Sequence, residues 1–333
     1  MLTRSRGPAA SARALPEELP RGRRAAGALL AAGWLAAVAS AQAPAGSPAA
    51  PGPPRSFDEA LEVRLVELYV TVLDRDGNPV EGLGASDFVV REDGIAQTLD
   101  RVQPSHDLPV TLGLALDTSA SMFVKLPAVS GAARGLVASL ATGRDRAFLL
   151  AFGPEPRLVE PTTDRLDRVS EALRGLEPRG KTPLWASVAA SLDELAASRG
   201  KRALVVFLDG ADEDGGRAHR ESLRRAREVG APIYLIVMNN EAARTEGRDF
   251  QTRAFISRLE RVAAAGGGRV LYLPTHGDLG PVYQRIEREI RSAYLLTYYP
   301  TVPLAPGPRR KVEVAVKDRG LAVRTLSGYD PAP

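Results

Sequence analysis

The chain of 333 residues contains no cysteine. That absence excludes disulfide bonds, thiolate catalysis, zinc–thiolate sites and a lipidated N-terminal cysteine. It is compatible with an oxidising compartment without requiring one. Histidine is nearly as scarce: the three present, His106, His219 and His276, lie far apart and show no ligand spacing. A long apolar run is missing too. The most apolar stretch, residues 25–39, is shorter than the ~20 residues a membrane-spanning helix needs. Finally, the bulk of the chain has no excess of charge. Residues 1–41 hold six arginines and two glutamates, which accounts for the whole formal net charge of +4 and leaves the remainder balanced. Without that segment the electrostatic case for a nucleic-acid partner disappears. No G-x-S-x-G elbow is found, and no phosphate loop is expected.

What is present is organised around Val110 to Met122, VTLGLALDTSASM. A continuous apolar run of this kind is the pattern of a buried parallel strand. It ends at Asp117 and is followed by Thr118, Ser119, Ala120 and Ser121. Open α/β sheets place ligands at the carboxyl ends of their strands. One carboxylate and two hydroxyls there suit a hard cation that takes oxygen ligands.

The spacing Asp117-x-Ser119-x-Ser121 after an apolar strand resembles the metal-ion-dependent adhesion site of von Willebrand factor A domains. Two further stretches strengthen the likeness. GKTPLWASV carries Thr182 at a loop-to-helix start, and LVVFLDGADED carries Asp209 at the end of a second apolar strand. The resemblance covers residues 108–293. It implies that Asp117, Ser119, Ser121, Thr182 and Asp209 hold a magnesium ion (or manganese), the serines and threonine through hydroxyls and the aspartates directly or through water. It also implies a protein partner that completes the ion's shell with an acidic residue. Magnesium keeps several waters and needs few protein ligands. A bland alternative is that Ser119 and Ser121 cap the following helix, which leaves Asp209 unexplained. Asp212, Glu213 and Asp214 either hold a second cation or form a solvated loop that makes the rim acidic. Trp185, one turn into the next helix, either lines the rim or packs. Arg217, Arg220, Arg224 and Arg227 recur at helical spacing and read as a solvated face.

Along the chain, residues 1–41 run Arg-rich, apolar, then Ala39-Ser40-Ala41, the order of a secretory signal. Cleavage is expected after Ala41, and an uncleaved anchor is the alternative. Residues 42–57 are an Ala/Pro/Gly linker. Residues 58–105 are strand-like, with tight turns at Asp76-Gly77 and Asp93-Gly94. Asp74-x-Asp76-Gly77 is not read as a calcium loop, because its twelfth position is Ala85 rather than a carboxylate. From Pro109 strands and helices alternate, which predicts a doubly wound, mainly parallel sheet. Residues 294–330 turn to β again, and are expected to pair with 58–105 in one small β unit. The strings GNPVEGL, DFVVREDG, the Tyr-Tyr-Pro at 298–300 and Gly328-Tyr329 resemble bacterial secreted proteins related to von Willebrand factor A.

Three functions are weighed. The preferred one is an exported, non-enzymatic, metal-dependent interaction module without a transmembrane span in the mature chain. The others are a secreted hydrolase using Ser119 or Ser121, and a chelatase-type subunit of the same family if the chain is cytosolic.

Overall fold

The structure is a computed structural model. It describes residues 65–180, 183–209, 215–238, 250–273, 278–303, 305–318 and 320–331. The expected signal segment and linker, Thr182, and the acidic run at 212–214 lie outside the described residues. The described residues all belong to one compact unit, Glu59–Pro333.

Fourteen strands and six helices are described. The α/β part contains β5 (Val110–Asp117), α1 (Leu126–Ala138), β6 (Arg146–Phe152), β7 (Arg157–Thr163) and α2 (Leu166–Arg174). It continues with α3 (Leu184–Ala196), β8 (Lys201–Leu208), α4 (Gly215–Val229), β9 (Ile233–Val237), α5 (Phe250–Ala265), β10 (Arg269–Tyr272) and α6 (Gly280–Arg291). Its six-stranded sheet has the order β10-β9-β8-β5-β6-β7. All pairings are parallel except β6 with β7. Every residue of β5 is buried, as its unbroken apolar run requires. Successive residues point to opposite faces. Thus Leu112, Leu114 and Leu116 meet α1, α2 and α6 on one side, while α3, α4 and α5 cover Ala115 and its neighbours on the other. Burying each large apolar side chain contributes about 1.5–3 kcal/mol. The fold is therefore the doubly wound sheet expected.

β7 is an addition that the sequence reading passes over. It lies antiparallel at the sheet edge with two irregularities in register, and it contains Pro161. An edge is where a strand tolerates proline, since one row of N–H groups faces outward.

The flanking strands are β1 (Val66–Leu73), β2 (Phe88–Glu92), β3 (Ile95–Gln97), β4 (Leu99–Pro104), β11 (Tyr294–Tyr298), β12 (Arg310–Val316), β13 (Ala322–Arg324) and β14 (Gly328–Tyr329). They form two four-stranded sheets, β13-β1-β11-β4 and β14-β12-β2-β3. Each sheet mixes strands from both ends of the chain. β11 lies between β1 and β4, with Val66 opposite Tyr298 and Val70 opposite Tyr294. The sheets share a core that includes Leu68, Val70, Val72, Phe88, Val90, Leu296 and Tyr298. Buried Glu92 ties them together: it accepts from Tyr298 Oη at 2.7 Å, Tyr329 Oη at 2.8 Å and Arg310 Nη1 at 2.7 Å.

The turn readings hold. Asn78 N–H donates to Asp74 Oδ1 at 2.8 Å, and this backbone contact is the main reason the Asp74 carboxyl titrates below its ordinary range. At the second turn both Asp93 (φ 49°) and Gly94 (φ 82°) are left-handed, the requirement of a two-residue hairpin.

The β unit meets the α/β part at the amino ends of the parallel strands. Lys201, first residue of β8, donates from Nζ to Ser105 Oγ at 2.7 Å and Ser105 O at 3.1 Å. Eight residues of strand at about 3.3 Å each put this junction roughly 25 Å from the opposite, carboxyl end.

Candidate functional site

β5 is flanked by β6 on one side and β8 on the other. The chain leaves β5 through α1 to β6, and reaches β8 only later, on the opposite side. That is a switch in strand order, and the crevice it opens at the carboxyl ends is where such sheets bind ligands. Asp117 closes β5, and Asp209 follows β8 directly.

These two carboxylates are joined by a chain of hydrogen bonds. Ser119 N–H donates to Asp117 Oδ1 at 2.7 Å. Ser119 Oγ and Ser121 Oγ are 2.9 Å apart, and Ser121 Oγ donates to Asp209 Oδ1 at 2.9 Å. The other Asp209 oxygen is 2.8 Å from Lys125 Nζ. Asp117 is fully buried and Asp209 and Ser119 nearly so, whereas Ser121 is exposed. Burial pushes the Asp117 carboxyl up; the Ser119 N–H and hydroxyl work against this, and the nearby Asp209 charge adds to it.

The loop is clamped from the side. Thr118 Oγ1 donates to Phe152 O, and Arg179 N–H donates to Thr118 O. Ala120 N–H reaches Gly180 O at 3.4 Å. Gly180 has φ of +71°, and a Cβ there would lie 2.7 Å from Pro154 Cγ. Only glycine keeps this loop so close. The segment leading to Thr182 thus touches the Asp117 loop, although Thr182 itself lies outside the described residues.

Two carboxylates and two hydroxyls linked in one chain of hydrogen bonds are a donor set suited to a hard divalent cation. Ser119 does not cap a helix with its side chain: no such bond is made at the short 3-10 turn Ala120–Met122. The N-cap of α1 is Lys125, with no side-chain capping bond, so neither serine is used as a helix cap.

Trp185 packs. It is fully buried, edge-on to His219 with ring centres 4.7 Å apart and to Phe255 at 6.4 Å. Its helix turns it into the core beneath α4 and α5, so it forms no part of a rim. On the arginine face of α4, Arg224 is paired to Glu221 and Glu228 of the same helix.

Two features escaped the sequence reading. Lys125 is one. The other is the string Gly175–Thr182, GLEPRGKT, which has the literal spacing of a phosphate loop. That loop joins a strand to a helix. Here Gly175 instead ends α2, so the string lacks the setting that would make it one.

The family model of the von Willebrand factor type A domain matches residues 112–211. Comparison with curated proteins returns no match. Among solved structures, a von Willebrand factor type A protein from Catenulispora acidiphila is 13% identical, with TM-score 0.46, covering 81% of this chain and 74% of that one. The vWF domain of the type V pili tip protein Mfa5 from Porphyromonas gingivalis is 12% identical, with TM-score 0.45, covering 55% and 95%. A mutant of the PilB minor pilin from Streptococcus sanguinis is 11% identical, with TM-score 0.43, covering 56% of this chain. This chain spans 62% of that pilin's length.

Proposed function

We propose that the von Willebrand factor A-type domain of this chain is an exported, metal-dependent binding module that captures a protein partner by one of the partner's carboxylates. The observation that carries the reading is the linked set Asp117, Ser119, Ser121 and Asp209 at the switch point of the sheet. These residues would hold Mg2+ or Mn2+, with Thr182 joining them as the resemblance implies. When bound, such an ion supplies an electrophilic position that an acidic side chain can occupy.

The chain's own residues do the rest. Asp117 is fixed from within by Ser119, and Ser121 stands at the open side. Phe123 and Val124, immediately beyond it, are 72% and 80% exposed. They offer apolar contact beside an arriving carboxylate. The serines are less suited to hydrolysis. A nucleophilic serine needs a base that is itself oriented. His219 is buried against Trp185, and the described partners of the two serines are each other and the aspartates.

The test uses protein purified from its native host. Intact mass should place the first residue at Gln42; a full-length cytosolic species would instead favour the chelatase-type reading. That protein, immobilised, should retain a host surface protein in Mg2+ and lose it in chelator. Asp117→Ala should lose it to the same extent with an unchanged circular dichroism spectrum. Binding at full strength in chelator refutes the mechanism.

A further inference from the structure

Lys125 is the part of the site that this function leaves unused. Its Nζ pairs with Asp209 Oδ2 at 2.8 Å and donates to Met238 O at 3.4 Å. The Lys125 side chain is 16% exposed and that of Asp209 only 4%. One side chain from the β5 loop thereby reaches the ends of both β8 and β9. Asp117 and Asp209 together carry two negative charges when ionised, and Lys125 returns one positive charge to them. A buried carboxylate without a cation is costly, so this site already carries a cation of its own, attached by a four-carbon stem.

We propose that Lys125 is a built-in counter-ion that competes with the divalent ion for Asp209, swings toward solvent as the ion loads, and so sets the metal concentration at which the module binds. The inference rests on the metal reading above. An ammonium and a divalent cation repel when they share one carboxylate in a weakly screened site. A lysine, with its compact charge and flexible stem, can leave that position where a rigid fork could not. Its exit is short, because Phe123 and Val124 next to it already stand in solvent. Two properties follow: the wild-type chain binds the ion weakly, and it keeps its fold without one.

The experiment titrates the full chain with Mn2+, followed by electron paramagnetic resonance. Lys125→Met should bind about tenfold more tightly or better, the direction expected when a like charge leaves the site, and Lys125→Arg should not. A second readout needs no variant. The chain has five lysines, at 125, 181, 201, 311 and 317, so acetylation can be followed at each by mass spectrometry. Lys125 should be protected without metal and become reactive in saturating Mg2+, with exposed Lys311 as the reference. If Lys125→Met does not fold, the labelling decides. Equal Mn2+ affinity in wild type and Lys125→Met, or unchanged protection of Lys125 in a chain that binds Mn2+, overturns the inference alone. Absence of Mn2+ binding in both overturns the metal reading and this inference with it.

Discussion

At the scale of single residues, Lys201 is a costly placement, a lysine 4% exposed at the junction of the two parts. Burial is the main reason its pKa falls to about 7, and the positive charge of Arg291 adds to this, while Asp145 opposes it and Arg144 lowers it further. An unfolded chain holds that proton up to about pH 10.4. Between the two values the unfolded state binds a proton that the folded state lacks, so stability rises with pH. Below about 7 both states are protonated and the full cost remains. Unfolding free energies from urea titrations between pH 7 and 9.5 should therefore climb, by at most about 1.4 kcal/mol per pH unit. Lys201→Met should flatten the climb. A wild-type profile that is level or falling over that range would show that Lys201 stays charged when folded. None of this is visible in the sequence, where Lys201 is one polar residue at the start of an apolar strand. The same holds for Lys125: its partner Asp209 is distant in the chain, and no spacing rule joins them. Asp117 and Asp209 were legible because each closes an apolar run that marks a strand end, and Ser119 and Ser121 because of their spacing from Asp117.

At the scale of elements, β11 is the strand on which most depends. It lies between β1 and β4, and all five of its residues are buried. A chain ending at Arg291 would lose β11 together with β12, the partner of β2. We expect trypsin then to cut at Arg91 and Arg101 in minutes, while the helical dichroism of the α/β part largely survives. Cleavage patterns identical to those of the intact chain would mean that 65–105 folds without its partners. Elements of the α/β part were readable because period and punctuation agree, as where Pro183 stands at the head of α3. β7 was not, because Glu160 and Pro161 break its pattern and only its edge position makes it possible. The strand order of the β unit was equally hidden, since pairing between the two ends of a chain leaves no local trace.

At the scale of the whole described molecule, the α/β part is inserted between β4 and β11, and these two strands are hydrogen-bonded neighbours. The sandwich thus closes a loop whose contents are the α/β part. That topology has a mechanical consequence. Tension applied at Leu65 and Pro331 is carried by the strands of the sandwich, and the backbone of residues 108–293 is not stretched until those strands part. In an optical trap the sandwich should open first. A longer release should follow, about 650 Å if each of those residues extends by about 3.5 Å. A long release that comes first would show that load enters the α/β part directly. In the expected order, a module pulled from both ends keeps its Asp117 loop undeformed up to the moment the sandwich gives way, and its grip on a partner is independent of load until then.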